Sequence, residues 1–142
     1  MGMPSLEKLF KEHSAKENSD LYRNQYFLET MLRCSGASFY MVGGDDPNID
    51  NLGDFFRNMA FGFAVIIDAK EKDGKKTQEE VRNENQILID EYIKQYEVEG
   101  YIWFEENGYP EEDAEPSELF SEFFKNDMKY CADIYEILKD YE

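Results

Sequence analysis

Cations are scarce in this chain: 15 Lys and Arg stand against 32 Asp and Glu, a formal net charge of −17. The shortage opposes docking on DNA, RNA or an anionic membrane, whose phosphates repel such a surface. Cysteine and histidine are scarcer still, with two cysteines, one histidine (His13) and no CxxC pair. That excludes a zinc cluster and a disulfide-dense secreted scaffold. Cys34 and Cys131 each sit inside an apolar helical pattern. They read as two buried thiols of a reducing cytoplasm, with a bridge between their helices as the alternative that spacing does not fix. No apolar run approaches the roughly 20 residues that span a bilayer, and no signal-peptide pattern opens the sequence. The nucleophile elbow, the dinucleotide fingerprint and the phosphate loop are missing too. Gly43-Gly44 runs into Asp45 and Asp46, which would repel a phosphate. The expectation is a cytoplasmic protein that is not an enzyme, with no catalytic residue, no metal and no cofactor.

What is abundant is apolar and aromatic. Hydrophobic residues make up 42% of the 142, and aromatics 15%. That is enough for one acidic globular domain over residues 1–142 and too much for a disordered acidic tail. Ser5 caps a short first helix, and a second follows the polar break at Asn18-Ser19-Asp20, with Gly36 as its stop. Residues 37–42 read as a short strand and 43–51 (GGDDPNIDN) as a loop. From Asp54 an apolar stretch reaches Val65-Ile66-Ile67, whose β-branching favours strand over helix across 61–69. Thr77 with Glu80 forms a capping box for a helix ending at Gly100, with Val81, Leu88, Ile89, Tyr92 and Tyr96 inward. Tyr101 to Phe104 then read as a strand or plug, 105–116 as an acidic loop, and Ser117 as the start of a final helix. The fold class expected is α+β and helix-rich, four to five helices with a small sheet of short strands, and all-α as the alternative.

Two patterns invite a metal: the calcium loop fails, and the nuclease half-motif at Asp68 and Lys70 stands as the enzyme alternative. Asp46, Asn48 and Asp50 have the spacing of a calcium loop, but Asn51 and Arg57 occupy the positions that need glycine and glutamate. Asp68-Ala69-Lys70 after an apolar run is half of a Mg²⁺-dependent nuclease motif, requiring Asp46 or Asp54 as a second ligand. No basic patch accompanies it to hold a nucleic-acid substrate.

The acidity is graded. Residues 1–40 balance five acids with five bases, 41–104 hold fourteen acids and seven bases, and 105–142 hold thirteen acids and three bases. A graded field has a direction, and like charges spaced i,i+4 at Glu118/Glu122 and Glu136/Asp140 work against helix stability. A chain that keeps such repulsion is expected to use it on a cationic protein surface. The expected contacts are Glu105, Glu106, Glu111, Glu112, Asp113, Glu115, Glu118, Glu122, Asp133, Glu136 and Asp140. One carboxylate per helical turn approximates the spacing of a phosphate backbone. In this general character the chain resembles small phage-encoded DNA mimics, including anti-restriction and anti-CRISPR proteins, which implies an inhibitor occupying the basic groove of a nucleic-acid-binding protein. The alternatives are an immunity protein against a cationic nuclease toxin, and an assembly or scaffolding module. The last uses the wide aromatic face of the final helix, where Leu119 and Phe123 flank Phe120 and Phe124, or pairs two copies as a homodimer.

Overall fold

The computed structural model describes residues 4–14, 20–41, 47–71, 74–112 and 119–139. Five helices carry them: α1 (Leu6–Ser14), α2 (Asp20–Met41), α3 (Pro47–Glu71), α4 (Gln78–Asn107) and α5 (Glu122–Leu138). Among the described residues there is no strand, so the α+β expectation is overturned in favour of all-α. The β-branched run Val65-Ile66-Ile67 lies inside α3. What decides it is spacing: Phe56, Ala60, Phe63 and Ile67 recur at three to four residues and face the other helices, while Ile66 points to solvent. Residues 37–41 and 101–104 are helical as well, the ends of α2 and α4.

Glycines account for two displaced helix ends. Gly36 does not stop α2 but sits where α2 crosses α4: a Cβ there would lie 2.9 Å from Tyr92 Cβ and 3.2 Å from the Ile89 carbonyl oxygen. Gly100 likewise stays within α4, next to the Tyr40 hydroxyl. The helix ends at Gly108, at φ +89°, whose N–H reaches the Phe104 carbonyl at 2.8 Å. Other ends follow the sequence. Ser5 Oγ accepts from Lys8 N–H, and the Thr77/Glu80 capping box closes in both directions. Ser121 caps α5; the expected start at Ser117, and Val42 through Asp46, lie outside the described residues.

α2 is the hub. Residues 30–38 are buried without interruption, and α1, α3, α4 and α5 all pack on this helix. A helix enclosed on every side must satisfy its polar side chains internally. Ser35 donates to the Gly53 carbonyl at 2.9 Å and Ser38 to the Cys34 carbonyl at 2.8 Å. Arg33 is 1% exposed and pairs with Asp127 of α5, also 1% exposed, at 2.6 Å. Asp127 Oδ2 also accepts from the Tyr96 hydroxyl at 2.7 Å, and its Oδ1 from Leu6 N–H at 3.0 Å. Arg33 further donates to the Pro4 carbonyl. One buried network thus ties α1, α2, α4 and α5. Burial pulls the Arg33 pKa down, but Tyr96 and Asp127 push it back above its ordinary value, so the guanidinium stays charged.

Cys34 and Cys131 are bonded, with an S–S distance of 2.12 Å and Cα atoms 5.5 Å apart. The expectation of two free thiols is therefore overturned, and with it the argument from cysteine to a reducing compartment. The reason is packing: α5 crosses α2 at these two positions, within bridging distance. No helix among the described residues is long and apolar enough to cross a membrane.

Two tyrosines, Tyr96 within the network and Tyr92 beside it, set an alkaline limit. Burial first, then Glu29, pushes the Tyr92 phenol up to about 12, against the opposing Arg33. Burial likewise raises Tyr96. In the unfolded chain both ionise near pH 10. The folded state therefore holds protons that the unfolded chain releases. Stability is expected to be full below pH 10 and to fall as pH rises toward about 12. Phenolate absorbance at 295 nm should rise together with loss of helical circular dichroism; release of all tyrosine protons near pH 10 with the helices intact would contradict this.

Candidate partner-binding surface

The acidic positions do not form one continuous row. Residues 105–107, expected in a loop, are the last turn of α4, because Gly108 rather than Gly100 ends that helix. Glu105, Glu106, Glu111 and Glu112 are exposed at this end of the bundle. Tyr109 folds back and donates to Glu105 at 2.6 Å, so the segment after Gly108 lies along the helix it left. A concavity of about 370 Å³ is lined by Glu111 together with Glu122 and Lys125 of α5, and by the apolar Trp103, Phe104 and Phe120. Asp113, Glu115, Glu118 and Asp140 lie outside the described residues.

Asp133 and Glu136 belong to a different stretch of surface. Glu136 is 14 residues from Glu122, about 21 Å along α5. Lysines break the α5 face: Lys125 pairs with Glu122 at 2.9 Å and Lys139 with Glu136 at 2.7 Å. Elsewhere Arg57 pairs with Asp54 and Lys76 with Glu84. The end of α4 has no such neutralisation. Between Lys94 and Lys125 lie 30 residues with ten carboxylates and no lysine or arginine. Among the described residues, Glu97, Glu99, Glu105, Glu106, Glu111 and Glu112 have no ion-pair partner. Glu105 and Glu106 also stand at a helix C-terminus with no basic residue in the last turn. Their charge opposes the helix dipole there, an arrangement that costs about 0.3–1 kcal/mol per group.

Large apolar side chains share this end. Tyr101 is 57% exposed and Tyr109 59%, alongside Val98, Ile102 and Leu119. Sequence reading missed them because Tyr101 and Ile102 looked like part of a buried strand. The signal was present in α4 itself: its buried positions Val81, Asn85, Ile89, Tyr96 and Gly100 set a stripe from which Val98, Tyr101 and Ile102 point away. By the same register Leu88, expected inward, is 39% exposed.

The half-motif at Asp68 and Lys70 does not converge. In a helix two residues are about 200° apart, so buried Asp68 and exposed Lys70 face opposite ways. Asp54 lies 14 residues before Asp68 on the same helix, about 21 Å away and beyond sharing one ion. Asp46 lies outside the described residues. Among the described residues no group of three or more His, Cys, Asp or Glu is placed to hold a metal.

No protein-family model matches the chain, and neither a curated protein nor a solved structure matches it.

Proposed function

We propose that this protein is an acidic inhibitor that uses the C-terminal end of α4 and the following segment to occupy the basic groove of a nucleic-acid-binding protein. The observation that carries the reading is the unneutralised end of α4. Cations pair with carboxylates on α3, α4's first half and α5, yet not on Glu97 to Glu112. Carboxylates retained against a helix dipole, with no cation of the chain paired to them, are explained by an external one. A lysine- and arginine-lined groove supplies that partner, and the field of a −17 chain speeds the encounter. Tyr101 and Tyr109 add what a phosphate backbone lacks, apolar anchors of the kind that dominate protein interfaces. The compartment follows the partner: a nucleic-acid-binding protein places the encounter in the cytoplasm, where a bridge between two fully buried cysteines is out of reach of soluble thiols.

Charge reversal tests it. The quadruple substitution Glu105→Lys, Glu106→Lys, Glu111→Lys and Glu112→Lys touches exposed positions and is expected to leave the helical spectrum unchanged. Capture of the partner from lysate should fall at least tenfold, as expected when several charges of a steered contact change sign. Undiminished capture by this variant would end the proposal. If the Tyr101→Ala and Ile102→Ala variant loses the partner while charge reversal does not, the surface serves an apolar assembly contact instead.

A further inference from the structure

Four helices enclose an apolar cleft that none of them fills. α1 contributes Phe10, α2 Phe27 and Met31, α3 Met59 and Phe63, and α5 Ile137 to a hollow of about 360 Å³. Its rim is open to water: Phe10 is 48% exposed and Ile137 66%. Apolar side chains exposed singly need no explanation, but a concave group of them marks a binding groove.

Little that is polar reaches the cleft. No Asp, Glu, Lys, Arg or His lines it, in a chain of which 33% is charged. Two phenols do, and the hydroxyls of Tyr26 and Tyr130 bond each other at 3.2 Å. Thr30 lines it too, but its hydroxyl oxygen is buried and offers nothing to an occupant. Water here loses hydrogen bonds that the walls do not replace, whereas an apolar molecule gains by leaving water.

The walls are aromatic as well as apolar. The ring centroids of Phe27 and Phe63 lie 5.4 Å apart, and Phe10 stands 6.5 Å from Tyr26 and 6.4 Å from Tyr130. All three pairs are tilted, so both ring faces and ring edges are presented. The thioethers of Met31 and Met59 add soft groups that favour ring edges.

Size and charge decide between a protein and a small molecule. A specific protein interface engages about 20–30 residues on each side, and eleven residues line this cleft. A second copy would also bring a charge of −17 against −17. A cavity of about 150 Å³ holds one benzene ring, so about 360 Å³ suits two. We propose that the cleft binds an uncharged aromatic molecule of about two fused rings. A charged one would shed its hydration with no opposite charge in the lining to replace it. No residue of α4 contributes, so the site does not depend on what binds at the acidic end of that helix.

The probes are 2-naphthol, the anionic 2-naphthoate and the saturated decahydro-2-naphthol, titrated into the full chain carrying ¹³C-methyl methionine. 2-Naphthol is expected to shift the Met31 and Met59 methyls saturably. Met41 and Met128, which pack against the separate cluster of Ala37, Tyr96 and Phe124, should stay in place. Naphthoate should bind at least about tenfold more weakly, because its charge has no partner in the cleft. The saturated analogue, which has the bulk without the rings, should also bind more weakly. Ile137→Glu sets a carboxylate on the exposed rim and is expected to weaken 2-naphthol about fivefold with the helical spectrum unchanged. No saturable shift at Met31 and Met59, equal binding of 2-naphthol and either control, or unchanged affinity in Ile137→Glu would each overturn the proposal. So would a dimer in sedimentation that Ile137→Glu splits, because a second copy would then be the occupant.

Discussion

Replacing Asp127 with alanine is expected to lower the unfolding free energy by about 3–5 kcal/mol, the range for removing one partner of a buried ion pair. The substitution leaves the Arg33 guanidinium charged inside α2 with its carboxylate gone. It also strips the acceptor from the Tyr96 hydroxyl and from Leu6 N–H, which anchors the first turn of α1. Urea unfolding followed by circular dichroism reads the loss as a lower midpoint with similar slope. Replacing both partners, Arg33→Met with Asp127→Leu, should restore much of it, because packed apolar side chains substitute for a buried pair at little cost. A loss below about 1 kcal/mol in Asp127→Ala would mean that the charge is not buried and paired, since exposed pairs contribute that little.

The second large effect belongs to the bridge. Cys34→Ala with Cys131→Ala should cost about 2–5 kcal/mol, because the bond closes a loop of 97 residues and restricts the unfolded chain accordingly. For a chain of this size that corresponds to a melting temperature lower by roughly 6–15 °C. The measurement that checks it pairs a thiol count with a thermal melt. Unreduced protein should bind no thiol reagent whether native or unfolded, and reduced, unfolded protein should bind two equivalents. Two reactive thiols in the unreduced, unfolded protein, with no loss in the double variant, would contradict the bridge. The two losses should not add fully, since Arg33 neighbours Cys34 in α2 and both ties hold α5 against it.

Helix signals were the legible part of this sequence. Thr77 and Glu80 announced the start of α4, Ser5 that of α1, and the spacing of Phe124, Cys131, Ile134 and Leu138 gave the inward face of α5. The sheet was misread for two physical reasons. A glycine at a helix crossing and one at a helix end look alike in sequence, so Gly36 and Gly100 cut α2 and α4 short and left their ends to be taken for strands. The β-branched run in α3 suits a strand locally, but packing against α2 decided its conformation. Asp127 was readable in principle, at i+3 from Phe124 and i−4 from Cys131 on the apolar stripe. Arg33 likewise interrupts an otherwise uncharged run in α2. That the two meet, and that the two cysteines meet one residue and four residues away, is tertiary information no local pattern carries.

For the acidic surface, charge counting by segment does not show which carboxylates are paired within the chain. Glu105, Glu106, Glu111 and Glu112 were grouped from the gradient alone, and they are exposed together. Asp133 and Glu136 were grouped with them on composition, whereas the lysines of α5 break that face. The difference lies in side-chain pairing, Lys125 with Glu122 and Lys139 with Glu136, which net charge by segment does not show.

The most direct test is a salt titration of the captured partner with duplex DNA as competitor. The protein is immobilised, partners are drawn from lysate at low ionic strength, and release is followed against added salt and against DNA. Capture of a nucleic-acid-binding protein that is lost steeply as salt rises, and displaced by DNA at low salt, is the expected result. Retention that is indifferent to both salt and DNA would contradict it, because a contact built on the carboxylates of α4's end is screened by salt and competes for the groove that holds the nucleic acid.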